Sequence, residues 1–156
     1  MKDRLTIVTK YILEFMFYAG IIATVTVPLI YKYVVQFMDR HVLVSREDAG
    51  NYFIPLCIIM MICGVFAVLI IHELRKIFKT VLEDDCFVRE NVKSLKKMGT
   101  YSFCIAVVTL ARLFCYVTSA VFVILIVFII AGLFSKVLAQ VFDRAVTYKL
   151  ENDLTI

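Results

Sequence analysis

The chain has 156 residues, of which 62% are hydrophobic and 19% are charged, and its formal net charge is +4. Soluble domains are about 45–50% apolar, so this composition indicates a membrane protein without a separate soluble domain. A helix needs about 20 apolar residues to cross the hydrocarbon core of a bilayer, which limits the chain to roughly four or five spans.

Two apolar runs in the first half of the chain predict two transmembrane helices. The first covers about residues 11–35, and the second covers about residues 52–72 without a single formal charge. From Leu74 to Leu82, apolar residues recur three and four positions apart, which predicts that the second helix continues as an amphipathic extension. Acidic residues from Glu83 to Asp85 favour a turn, and a second amphipathic helix is expected from about Val88 to Met98. This helix pair either lies on the membrane surface and packs on itself, or forms a groove for a partner.

A longer apolar run from Tyr101 to Phe134 predicts two further helices. A single helix of that length would measure about 50 Å and would need more tilt than membrane helices usually have. We therefore expect spans at about residues 99–117 and 120–140, with a turn near Tyr116–Ala120. The predicted fold is all-α, a single four-helix membrane domain over residues 1–156, with a helical loop at 73–98 and a tail at 141–156.

Basic residues orient these four helices. Most of the 17 Lys and Arg residues precede the first span, lie between the second and third, or follow the fourth. By the positive-inside rule, both termini and the 73–98 loop are predicted to face the cytoplasm, in the cell (inner) membrane. A basic inner face suits anionic lipid, so the expected partner is the lipid bilayer and no direct binding of nucleic acid is expected.

The sequence lacks the motifs of common enzymes. His41 and His72 are expected on opposite sides of the membrane, so they cannot form a metal pair. There is also no nucleophile elbow, no glycine-rich phosphate loop and no Cys-x-x-Cys motif. We therefore predict no enzymatic activity, no catalytic or metal-binding residues and no cofactor.

Three ionisable residues are expected at membrane depth, namely Glu14, Arg112 and Lys136. A charge at that depth is costly, so each is a candidate for a functional role. Glu14 and Lys136 either pair across the first and fourth helices, or each reaches the inner headgroups separately. Arg112 is expected to extend outward or to bond backbone carbonyls and the Tyr116 hydroxyl, and a sensing or ion-path role is the alternative.

Two stretches, "CFVRENVKSLKKMGTYSFCIAV" and the terminal "LENDLTI", resemble a bacterial family of four-span membrane proteins known as domain of unknown function 2975. Cys86 departs from the pattern, since a proline often stands at that position. The resemblance implies no activity, but it implies a gene neighbour, because members are often encoded beside a Cro/CI-type helix-turn-helix regulator. The matching positions are Phe87, Glu90, Asn91, Leu95, Lys96, Gly99 and Glu151 to Ile156.

The resemblance therefore favours a non-enzymatic membrane protein that serves as a regulatory or sensing partner of a cytoplasmic helix-turn-helix transcription regulator. A small transporter or transporter subunit, and a purely structural membrane protein, are the alternatives, and a homo-oligomer is compatible with each. The residues predicted to bind the partner are Phe87, Glu90, Asn91, Leu95, Glu151, Asn152, Asp153, Leu154 and Ile156.

Overall fold

The computed structural model describes residues 4–41, 53–83, 85–113 and 119–153, and all the regular secondary structure in these ranges is α-helical. Helix α1 is Arg4–His41, α2 is Phe53–Leu82, α3 is Arg89–Leu113 and α4 is Ser119–Asp153. The all-α prediction is confirmed, and the long apolar run divides into two helices. Most of the predicted turn at 116–120 lies outside the described residues.

Helix α2 continues through the predicted amphipathic extension without a break. Its 30 residues make it about 45 Å long, which exceeds the hydrocarbon core of a bilayer by about 15 Å. It ends at Leu82, where the amide of Glu83 donates hydrogen bonds to the carbonyls of Lys79 and Thr80. Residues 85–88 then lead into α3. The acidic residues from Glu83 onward had predicted a turn between the two helices.

The four helices form an antiparallel array in which each closely packed pair is consecutive in the chain. Near its start, α1 lies against the second half of α2, while the middle of α1 meets Gly64 nearer the start of α2. The pairs α2–α3 and α3–α4 are antiparallel in the same way. Helix α3 therefore packs between α2 and α4, whereas α1 packs on α2 at one side of the array.

Small residues allow two of these pairs to approach closely. A Cβ placed on Gly64 would lie 2.7 Å from Thr24 Oγ1, so α1 and α2 meet where there is no room for a side chain. A Cβ placed on Gly99 would lie 3.0 Å from Lys136 Cγ and 3.1 Å from the Gly132 carbonyl oxygen. Close backbone approach at small residues is typical of helix packing in membranes.

Among the described residues, three helices are long and apolar enough to cross a membrane, through segments Ile7–Ile30, Ile54–Leu82 and Ala120–Asn152. Helix α3 is not apolar enough to be counted with these three, because its first half carries five charged side chains. They are Arg89, Glu90, Lys93, Lys96 and Lys97. The chain therefore has the helices of a multi-pass integral membrane protein, with α3 as the most polar of the four.

Candidate functional site at the charged end of the array

One end of the array contains the second half of α2, the first half of α3 and the last turns of α4, and we call it the charged end. Its apolar core consists of Ile77, Leu95 and Ala139, one residue from each of these three helices. Val81, Met98, Leu138 and Phe142 pack around them. This core fixes the positions of α2, α3 and α4 relative to one another, and polar side chains surround it.

Glu73 is a buried carboxylate on the α2 side of this core, with only 4% of its surface exposed. The hydroxyl of Ser94 in α3 donates a hydrogen bond of 2.7 Å to Glu73 Oε2. The ammonium groups of Lys76 and Lys97 lie 3.3 and 3.5 Å from Glu73 Oε1. A buried carboxylate needs such partners, because an unpaired charge in the interior is strongly destabilising. Glu73 therefore links α2 to α3 through one hydroxyl and two cations.

Asn91 makes a second buried link, at the first turn of α3. Its side chain is 1% exposed, and its Nδ2 donates to the Cys86 carbonyl at 2.8 Å and to Thr80 Oγ1 at 2.7 Å. The Thr80 hydroxyl donates to the Ile77 carbonyl of its own helix at 2.7 Å. One amide thus connects α2, the segment before α3 and α3 itself. We call Glu73, Thr80, Asn91 and Ser94 the polar cluster.

The segment between α2 and α3 also contacts the end of α4. Lys149 Nζ lies 2.8 Å from Asp85 Oδ1, and the rings of Phe87 and Phe142 have centroids 5.5 Å apart. Phe87 is nevertheless 46% exposed, and Glu90, Glu151 and Asn152 are exposed as well. We call these four exposed residues the loop–tail surface.

The residues predicted to bind a partner are thus divided between the interior and the surface. Asn91 and Leu95 are buried against other residues of this chain, so neither is available to a partner while these helices stay packed. Asn91 and Leu95 instead stabilise the packing of the helices that carry the loop–tail surface. Asp153 is the last residue of α4, and Leu154 and Ile156 lie outside the described residues.

Glu14 and Lys136, for which pairing and separate positions were both open, each contact a side chain of a neighbouring helix. Glu14 Oε1 lies 3.9 Å from a guanidinium nitrogen of Arg75 in α2. Lys136 Nζ donates a hydrogen bond of 2.9 Å to Thr100 Oγ1 in α3. The Glu14–Lys136 pair is therefore absent from this structure, because α1 packs on α2 and α4 packs on α3. Arg112 is half-buried near the end of α3, and its Nε has no hydrogen-bond partner among the described residues.

Sequence reasoning missed Glu73, Thr80 and Ser94. Glu73 follows an apolar run directly and is easily taken for an ordinary interfacial charge. A usable signal lies in α3, where Asn91 and Ser94 fall at helical spacing on the same stripe as apolar Val92 and Leu95. Polar residues within such a stripe require partners on the facing helix.

The chemistry of the polar cluster is that of a structural link. Glu73 is bonded to Ser94 and to two lysines, and Asn91 is bonded to Thr80. Among the described residues, no group of three His, Cys, Asp or Glu side chains is placed to hold a metal ion. The charged end also presents the exposed side chains of the loop–tail surface and a groove beside α1.

Comparison with known proteins connects the chain to one family. A family model described as a protein of unknown function, DUF2975, matches residues 44–156. That range contains α2, α3, α4 and the whole polar cluster, and it begins after α1. No curated protein and no solved structure shows significant similarity to the chain.

Proposed function

Because the chain belongs to the DUF2975 family of proteins of unknown function, we propose its role from its own geometry: a four-span membrane protein whose charged end binds a cytoplasmic regulator. It performs no chemistry in this role. The partner that the family resemblance implies is a transcription regulator of the Cro/CI helix-turn-helix type.

The contact between Asp85 and Lys149 is the observation that supports four spans. If α3 did not cross the membrane, the α2–α3 segment and the end of α4 would lie on opposite sides. The 2.8 Å ion pair and the Phe87–Phe142 ring contact support a position for both on the same side. The positive-inside tendency then favours the cytoplasm for this side, because α2, α3 and α4 all carry Lys or Arg there.

The loop–tail surface supports a protein partner. It presents an exposed aromatic ring, Phe87, among polar side chains, and the ring's position is fixed by Phe142 and by the Asp85–Lys149 pair. Aromatic residues, including Phe, are enriched in the cores of protein interfaces, where polar residues form the rim. A fixed aromatic also loses little conformational freedom on binding, which favours affinity.

Topology is tested first, with reporter fusions placed at Asp85 and after Ile156. A cytoplasmic signal is expected at both positions, since they flank the third and fourth spans. An external signal at either one would overturn the four-span arrangement.

Binding is tested with the full-length protein in detergent and the purified helix-turn-helix protein encoded beside its gene. Phe87→Ala combined with Glu90→Gln is expected to weaken binding at least about tenfold, as is usual when a hot-spot aromatic is removed. Tyr11→Ala, which removes an exposed aromatic ring from α1, is the matched control and is expected to bind like the wild type.

Equal binding by the Phe87 variant and the wild type would remove the loop–tail surface from the mechanism. A gene neighbourhood that lacks any short helix-turn-helix reading frame would argue against the regulator itself. A permease subunit in that position would favour the transporter alternative instead.

A further inference from the structure

A groove of about 370 Å³ opens between α1 and α2 at the charged end, and all of its lining residues belong to these two helices. Four basic side chains and one acidic side chain line it, together with one histidine and three apolar residues. The lining residues are Lys10, Leu13, Glu14, His72, Arg75, Lys76, Phe78, Lys79 and Leu82.

The basic side chains of this groove are not all neutralised. Arg75 has Glu14 at 3.9 Å, and Lys76 has Glu73 at 3.3 Å. Lys10 and Lys79 are exposed and form no ion pair with any residue that the structure describes. The groove therefore keeps an excess of positive charge, with two ammonium groups available for an anion.

Arg75 is held in position at the groove. Its guanidinium carbon lies 4.5 Å from the centroid of the Phe17 ring and 5.9 Å from that of Tyr18. These cation–π contacts and the Glu14 carboxylate limit the side chain to a small range of positions. A guanidinium fixed in this way is suited to bind a phosphate group with two parallel hydrogen bonds.

The groove lies where the apolar parts of both helices begin. Tyr11 follows Lys10 directly in α1, and the uncharged stretch of α2 ends at His72, before Glu73. Leu13 lies buried in the groove, and Phe78 and Leu82 add apolar wall. A molecule bound here would have its anionic group against the basic side chains and its apolar part beside the hydrocarbon layer.

We propose that this groove binds the phosphate headgroup of an anionic phospholipid. Lys10, Arg75 and Lys79 contact the phosphate, and the acyl chains run along the apolar surface of α1 into the bilayer. The proposal does not depend on a regulator, because the groove shares no residue with the loop–tail surface.

The test is native mass spectrometry of the full chain in detergent, titrated separately with dioleoyl phosphatidylglycerol, dioleoyl phosphatidylcholine and inorganic phosphate. Phosphatidylglycerol is expected to bind more tightly than either other probe. Each cation near an anionic lipid contributes about fivefold in affinity, so Lys10→Gln combined with Lys79→Gln is expected to weaken phosphatidylglycerol binding about 25-fold.

The matched control is Lys93→Gln combined with Arg144→Gln, which removes two exposed cations from the charged end but outside the groove. This control is expected to bind phosphatidylglycerol like the wild type. Equal losses in both double variants, or equal affinity for the two lipids, would overturn the site. If inorganic phosphate binds as tightly as phosphatidylglycerol, the groove is a site for a free anion, and the proposal of a lipid occupant is overturned. Both variants alter exposed side chains, and unchanged helicity by circular dichroism verifies that they fold.

Discussion

Helix α3 is the most polar of the four helices and has a long buried face, whereas α1 is strongly apolar and is exposed along most of its length. The buried stripe of α3 is built largely from small and polar side chains. It comprises Asn91, Val92, Ser94, Leu95, Gly99, Ser102, Ile105, Ala106 and Thr109. On α1 the exposed surface includes large residues such as Phe15 and Val25.

The contrast follows from the solvent around each helix. Lipid is as apolar as a leucine side chain, so an apolar face gains little by packing inside a membrane protein, whereas small and polar faces gain close contacts and hydrogen bonds. A helix packed between α2 and α4 can therefore be more polar than its neighbours. Helix α1 meets lipid on most sides and needs an apolar surface.

Replacing Asn91 by alanine is the strongest test of this contrast. The change removes the buried amide that donates to the Cys86 carbonyl and to the Thr80 hydroxyl, so each of these two half-buried polar groups loses a hydrogen bond. We expect the free energy of unfolding to fall by about 3 kcal/mol, because each such group costs about 1–3 kcal/mol. The measurement is unfolding by titration with SDS in mixed micelles, followed by circular dichroism.

The matched control in α1 is Thr26→Ala. The Thr26 hydroxyl is exposed, and among the described residues it bonds only to the carbonyls of Ile22 and Ala23 in its own helix. Its removal is expected to change the unfolding free energy by less than about 0.5 kcal/mol. Similar effects of the two substitutions would mean that the buried polar face of α3 does not contribute to the stability of the protein.

The sequence was sufficient to predict what depends on local periodicity. It predicted the helical class, the amphipathic extension of α2 and the division of the run from Tyr101 to Phe134 into two helices. It did not predict Glu73 as a buried residue, because that depends on Ser94 and Lys97 from a different helix. For the same reason it left pairing and separate positions open for Glu14 and Lys136. The two residues were expected at a similar depth, but depth does not determine which helices are neighbours.

Glu73→Ala is expected to lower the unfolding free energy by about 2 kcal/mol. It leaves the buried Ser94 hydroxyl without its acceptor, while Lys76 and Lys97 are half-exposed and can be hydrated instead. Glu73→Gln keeps an acceptor for Ser94 and is expected to retain part of this stability.

The control for Glu73 is Asp143→Ala at the same end of the array. Asp143 also faces a lysine, Lys96 at 3.8 Å, but both side chains are about half exposed. Exposed ion pairs contribute about 0–1 kcal/mol, so the loss should stay well below that of Glu73→Ala. An equal loss would show that burial of Glu73 is unimportant for its contribution.

Gly64→Ala tests how α1 is attached. The added Cβ would lie 2.7 Å from Thr24 Oγ1, and that hydroxyl is held by its bond to the Gly20 carbonyl. We expect a loss of about 1–2 kcal/mol from overpacking. Adding Thr24→Ala should restore most of it. Gly20→Ala is the milder control, since its Cβ would meet Val68 Cγ2 at 3.2 Å. Failure of Thr24→Ala to restore stability would exclude this contact as the cause.

The smallest expected effect concerns the ion pair between α1 and α2. Glu14 and Arg75 are 3.9 Å apart and partly exposed, so their coupling free energy should be below about 1 kcal/mol. A double-mutant cycle with Glu14→Gln and Arg75→Gln measures this coupling, and the same cycle with Glu14→Gln and Lys136→Gln should give none. Coupling between Glu14 and Lys136 would show that α1 contacts α4, so that the array closes into a bundle. Helix α1 would then be surrounded by protein, which would contradict the contrast between an exposed α1 and a buried α3.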